Sequence, residues 1–215
     1  MTRRAAPVRV GLLQASEHAI LRRLYDAYLE ELVGFGAAYR RRADGRWEYR
    51  PPQGEWDLDH LPYWLSDGPD RRTFLLRQAR SVVGFAMVGL RPAFWMSPGI
   101  DASISEFYVV PRARGRGVGE AAARRLFRLR PGRWEIFELP ANAPAIAFWR
   151  RVVGRYTGGE LEELEVRGGP AQRFTSRPPR PRATRRTPRR RRSPGVARPP
   201  RGARSGRGRA RGPRG

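Results

Sequence analysis

Gly115, Gly117 and Gly119 alternate with Arg114, Arg116 and Val118 inside the stretch VVPRARGRGVGEAAARRLF at 109–127. Glycines set between a strand end and a helix start let the backbone approach an anion closely. The unpaired N–H groups of the helix's first turn, helped by its dipole, then hold a phosphate. Two phosphate loops are excluded by the residues themselves. The nucleotide loop GxxxxGK[ST] requires a lysine, and all 44 basic residues of this chain are arginine. The dinucleotide fingerprint GxGxxG differs in spacing from the GxGxG found here, and it follows the first strand of a parallel sheet. A cradle of a third kind remains. A second Arg/Gly string, SGRGRARGPRG at 205–215, has a similar composition but no flanking pattern to position it.

The elements that must hold the first string are readable from periodicity. Residues 8–13 read as a short strand and Ser16 as the cap of a helix running to Val33, with Leu21, Leu24, Tyr25, Tyr28, Leu29 and Leu32 at helical spacing. Residues 40–70 read as loops with one short helix near 58–65. RTFLLRQ at 72–78 and VVGFAMVGL at 82–90 form a hairpin, and ASISEFYVV at 102–110 is a third strand ending at Pro111. A helix over about 118–130 follows, with Val118, Ala122, Leu126 and Leu129 on one face. RWEIFEL at 133–139 is the next strand, and a second helix starts after Asn142 and stops at Gly154. Weak strands lie around 155–166 and 171–175. The fold class is mixed α/β, a largely antiparallel sheet flanked by helices.

The formal charge of +24 is unevenly spread. Residues 176–215 hold 16 arginines and no acid, and after Phe174 there is no aromatic residue, leucine or isoleucine. The chain therefore divides into a domain at 1–175 and an Arg/Pro/Gly-rich tail at 176–215 that is expected to be disordered. Such a tail would contact nucleic acid nonspecifically, through charge alone; its composition is also what GC-rich DNA yields when read in a wrong frame. The absence of lysine is itself the mark of GC-rich coding, so arginine count says little about function. Without cysteine, disulfides, thiolate metal sites and a cysteine nucleophile are excluded. Asp57, Asp59 and His60 have no second cluster to complete a metal site, so no metal is expected. The longest apolar run, at 82–90, is half a membrane span. These features lead to an expectation of a soluble, cytoplasmic protein without membrane contact.

Arg114-Gly115-Arg116-Gly117-Val118-Gly119 matches [RQ]-x-x-G-x-[GA], and SEFYVVPRARGRGVG before and through it, with NAPAIAFWRRVVG at 142–154 after one further strand, resembles the two signatures of the GNAT superfamily of acetyl-CoA-dependent N-acetyltransferases. The resemblance covers 72–158 well and the N-terminal helix loosely. It implies that acetyl-CoA is the cosubstrate, with its pyrophosphate on the backbone N–H groups of Arg114, Gly115, Arg116, Gly117, Val118 and Gly119. Backbone groups of Val109 and Val110 would pair with the pantetheine arm and polarise the thioester carbonyl. Asn142 would contact the cofactor or cap its helix, or both.

By the same resemblance Glu106 is the candidate catalytic residue, a base or anchor for the amine, its carboxyl raised by apolar Phe107 and Tyr108. Trp149 departs from the family, many of whose members carry a tyrosine there to protonate the leaving thiolate. Indole is no practical acid, yet a thiolate leaves unaided. Tyr108 and Tyr156 are substitutes, or packing residues. Glu55, Asp57, Asp59, Asp67 and Asp70, and Glu160, Glu162, Glu163 and Glu165, form two acidic islands that would attract a cationic amine or are simply solvated. His18 reads as a surface residue; Trp47, Trp56, Trp64 and Trp95 read as core or pocket walls. The implied function is acetyl transfer to the primary amine of a small molecule or protein, in a ternary complex; the alternative is a catalytically weak acyl-CoA-binding module tethered to nucleic acid by the tail. Many relatives are dimers, so a homodimer is an expectation.

Overall fold

The computed structural model describes residues 6–50 and 54–177; the tail read at 176–215 lies outside them from 178 onward, but Ser176 belongs to the domain, buried at the end of the last strand with its hydroxyl on the Phe127 carbonyl. In chain order the elements are β1 (Val8–Leu12), α1 (His18–Val33), β2 (Tyr39–Arg41), β3 (Trp47–Tyr49), β4 (Asp57–Leu58), α2 (Leu61–Trp64), β5 (Arg71–Gln78) and β6 (Ser81–Leu90). Then come β7 (Ala102–Val109), α3 (Val118–Leu129), β8 (Gly132–Phe137), α4 (Ala143–Thr157), β9 (Glu162–Val166) and β10 (Gly169–Ser176). Seven strands form one sheet in the order β1-β5-β6-β7-β8-β10-β9. Every neighbouring pair is antiparallel except β7 and β8.

The interior strand β6 is buried on both faces, which is why it reads as a continuous apolar run. Phe85 and Met87 pack with Leu21, Tyr25 and Leu29 of α1. Ala86 and Val88 pack on the other face with Leu126 and Phe127 of α3 and Val152 and Val153 of α4. The sheet is thus sandwiched, with α1 on one side and α3 and α4 on the other. Phe127 anchors the second layer, its ring 5.2 Å from Trp134 and 4.8 Å from Phe174.

Three local expectations need correction. Ser16 caps nothing: Gln14 heads a 3-10 turn at Ala15–Glu17, where Glu17 accepts the Gln14 N–H at 3.1 Å, and α1 continues from it. Gly154 does not stop α4, which runs on to Thr157; Gly158 ends it at φ 73°, donating to the Gly154 carbonyl. The stretch from 40 to 70 is more ordered than loops, because β2, β3 and β4 form a small antiparallel sheet of their own. Trp47 and Trp64 are buried core residues there, and the Trp47 indole N–H donates to Asp26 at 3.0 Å. Trp56 lies under the Arg40 guanidinium, and His18 opens α1. Among the described residues no helix is long and apolar enough to cross a membrane.

Candidate active site

β7 and β8 pair only over Ala102–Ile104 against Trp134–Ile136. Beyond that the two parallel strands part, while β7 continues to Val109. A gap therefore opens in the middle of the sheet, and two cavities meet at it. Tyr28, Leu32, Phe107, Asn142, Ala145 and Trp149 line both.

The first cavity, of 510 Å³, runs from the gap to the start of α3 and takes in Val109, Arg114, Gly115, Gly117, Val118, Gly119, Asn142 and Trp149. Gly115 and Gly117 hold φ of 71° and 74°, and a Cβ built on either would meet nothing within 4 Å. The space beside the two left-handed glycines is open, so an anion has room there; the expected contact through the Arg114 N–H is excluded, because the Pro111 carbonyl takes it at 3.1 Å. Gly117 is the cap of α3, whose first N–H groups have no side-chain acceptor. Arg151 of α4 adds cationic charge to the same wall, where Arg155 is paired with Glu120 at 3.2 Å. Arg116 is exposed and outside the wall.

Strand geometry separates the two valines. The Val110 N–H donates to the Val83 carbonyl at 2.9 Å, so it is committed to β6 and is not free to pair with a ligand. Alternation along β7 then turns the N–H groups of Phe107 and Val109 toward the gap. The Val109 carbonyl is taken by Arg114 Nε at 2.7 Å. Asn142 does cap α4, accepting the Ala145 N–H at 3.1 Å through Oδ1, and its side-chain amide remains for the cavities it lines.

The second cavity, of 290 Å³, lies on the α1 face and is walled by Glu106 with Tyr39, Trp95, Phe137 and Arg167. The register of β6 and β7 slips between Met87 and Val88, where Met87 faces Glu106 and Val88 faces Ile104. Ser105 is the extra residue of this bulge, which re-aims Glu106 toward α1. Tyr28 of α1 donates its hydroxyl to Glu106. Burial pushes the Glu106 carboxyl up to about 7, against the opposing effect of the Tyr28 hydrogen bond. The Tyr28 hydroxyl is raised well above its ordinary value, by burial first and then by Glu106. A carboxyl poised near neutrality in the wall of the second cavity can take a proton from a bound group. Tyr28 was legible only as one more residue on the core stripe of α1; its role depends on a strand residue 78 positions away.

A second raised carboxyl borders this cavity. Burial pushes Glu138 up to about 8. Its Oε2 accepts from Gln172 Nε2 at 3.4 Å, while Oε1 of Glu138 and Oε1 of Gln172 are both buried without a partner among the described residues. Protonation would turn Oε1 of Glu138 from an orphan acceptor into a donor for a neighbouring acceptor such as the Gln172 amide oxygen. The folded state then holds a proton that the unfolded chain releases, so stability falls as pH rises from about 4.5 to about 8. Glu138→Gln keeps the donor without the titration; its melting temperature relative to the unsubstituted chain should rise between pH 5 and pH 8.5. A pH-independent difference would show that Glu138 is ionised.

The acidic islands do not reach either cavity wall. Glu160, Glu162 and Glu163 pair with Arg177, Arg133 and Arg150, and Asp70 binds Tyr63 and Arg71. The carboxylates nearest the second cavity are instead Glu106, Glu138 and Glu135, the last held by Arg173 at 2.7 Å and Ser97 at 2.8 Å. Tyr156 is structural, bonded to Ser176 and packed on Phe127. Tyr108 lies under the Arg114 guanidinium and lines the first cavity. Trp149 sits in the gap with its ring 5.0 Å from Phe107.

Comparison with known proteins agrees with this architecture. The fold is similar to an acetyltransferase from Thermus thermophilus, with a TM-score of 0.56 and 16% identity over 80% of this chain and 99% of that one. A GNAT-family acetyltransferase from Staphylococcus aureus gives a TM-score of 0.50 at 10% identity, over 79% and 99% of the two chains. A domain from Methanocaldococcus jannaschii gives 0.53 at 7% identity, over 79% and 99%. At such identities the likeness is one of fold. No curated protein matches the sequence. The profile of the acetyltransferase (GNAT) family matches residues 42–154, more than half of the chain, and takes in β7, the glycine loop, α3 and Asn142. The protein belongs to the GNAT family of acetyltransferases.

Proposed function

We propose that the protein moves an acetyl group from acetyl-CoA to a primary amine by direct attack in a ternary complex, as a cytoplasmic enzyme. The observation that carries this reading is the gap between β7 and β8, where a glycine-lined anion cradle on one side meets a near-neutral buried carboxyl on the other. The pyrophosphate would rest on the amides of Gly115 to Gly119, with Arg151 beside it. The Val109 N–H, facing the gap, would donate to the thioester carbonyl, whose oxygen gains charge as the amine attacks. Glu106 would take the proton that the ammonium must lose. The Trp149 indole, at the junction of the cavities, would donate a hydrogen bond to the departing sulfur, while the one proton of the Tyr28 hydroxyl stays on Glu106. The thiolate's modest basicity removes the need for a strong acid.

The test is release of free thiol from acetyl-CoA with a panel of primary amines. Because the chain has no cysteine, every thiol detected is that of coenzyme A. Amine-dependent release that rises with pH through about 7 is expected; release indifferent to every amine would overturn acetyl transfer. Tyr28→Phe supplies a sharper check. The Tyr28 hydrogen bond favours the ionised carboxylate, so removing it should shift the acid limb of the rate profile to higher pH. An unmoved or lowered limb would break the assignment of that limb to Glu106.

A further inference from the structure

Arg114 opens the phosphate loop, yet its side chain is spent elsewhere. Nε donates to the Val109 carbonyl at 2.7 Å, and Nη1 and Nη2 donate to the two oxygens of Glu31 at 2.8 and 2.7 Å. The guanidinium carbon lies 5.4 Å from the centre of the Tyr108 ring. This is a fork-to-fork pair with a third bond at the back, a geometry that only a planar guanidinium makes. Glu31 stands three residues after Tyr28 on α1, hence on the same face. The helix is therefore tied to β7 and its loop at two points one turn apart, Tyr28 to Glu106 and Glu31 to Arg114.

Resting on the acetyl-CoA reading above, we infer that the Glu31–Arg114 pair is a positioning device that couples the two cavities. Order imposed on the glycine loop by the cofactor passes through Arg114 into α1, and from there to the Tyr28–Glu106 contact on the acceptor side. The Arg114 side chain acts through its neighbours and is not itself a phosphate ligand. The pair is half exposed, 42% for Arg114 and 35% for Glu31, so it contributes little to global stability and its neutral variants keep the fold. What it supplies is a connection.

The experiment uses full-length protein with coenzyme A as the probe, reading affinity by calorimetry and amide hydrogen exchange by mass spectrometry. Unsubstituted protein should show slowed exchange on coenzyme A addition in the 114–121 segment and also in α1 from Tyr28 to Val33. Glu31→Gln should keep the loop protection and lose the α1 protection. Glu31→Gln should weaken coenzyme A roughly two- to fivefold, Arg114→Gln at least as much because it also loses the Val109 bond, and the double variant no more than Arg114→Gln alone. Tighter binding in Glu31→Gln with looser binding in Arg114→Gln would mean that Arg114 is a phosphate ligand restrained by Glu31, and would overturn the inference. So would α1 protection that survives Glu31→Gln, or unsubstituted protein that protects the loop alone. If coenzyme A does not bind the unsubstituted protein at all, the acetyl-CoA reading itself fails, and the coupling with it.

Discussion

Glu106→Gln should lower turnover at neutral pH by about 10²- to 10⁴-fold, the range supplied by a positioned general base, while acetyl-CoA affinity stays within about twofold. Two features separate these effects. Glu106 borders the second cavity and is absent from the wall of the first, where the glycine loop lies. The substitution also preserves shape and keeps an acceptor oxygen for the Tyr28 hydroxyl, so α1 need not move. What disappears is the capacity to hold a proton, and with it the rise in rate through about pH 7. Raising the pH should restore part of the activity, because at higher pH more of the amine arrives already neutral. Steady-state rates from pH 6 to 9.5, with acetyl-CoA titrated in parallel, decide the matter. Turnover equal to that of the unsubstituted enzyme would remove Glu106 from the chemistry.

Gly117→Val should raise the acetyl-CoA dissociation constant at least about tenfold and lower stability by roughly 1–3 kcal/mol, the cost of a strained backbone. Gly117 holds φ 74°, which a β-branched residue tolerates poorly. Its missing Cβ also points into open space at the cap of α3, where the anion would approach. Strain and obstruction need separating, and Gly158→Val does so. Gly158 has φ 73° and equally open surroundings at the far end of α4. Thermal unfolding and calorimetry of the pair should show similar destabilisation in both variants and lost affinity only in Gly117→Val. Equal losses of affinity would mean that the loop is merely a turn.

How far the site could be read from the chain depends on the distance over which each part is encoded. The hairpin, α3 and the cradle are local patterns: alternating or helical apolar residues punctuated by glycines whose positive φ does the turning. The small sheet of β2, β3 and β4 escaped because strands of two and three residues are too short to show alternation. At the end of α4 two glycines competed, and the left-handed conformation at Gly158 decided between them. Tyr28 and Glu138 were hidden for another reason. Each acquires its chemistry from a partner far away in sequence, Glu106 for one and Gln172 for the other. The gap that joins the cavities is likewise a property of pairing, since nothing in β7 or β8 alone announces that their contact stops after three residues. Of the two readings of the acidic islands the solvated one fits, since arginines distant in sequence pair with Glu160, Glu162 and Glu163 and neither cavity wall includes an island member.

The most direct test is calorimetric titration of acetyl-CoA into the full-length protein at moderate salt, with ATP and NADH titrated alongside and Gly117→Val as the reference. The reference matters because arginine-rich residues from 178 onward will attract any polyphosphate. One saturable micromolar site for acetyl-CoA that is lost in Gly117→Val is expected, over a weak, salt-sensitive background shared by all three ligands. Binding of acetyl-CoA no tighter than that of ATP, and unchanged by Gly117→Val, would contradict that expectation.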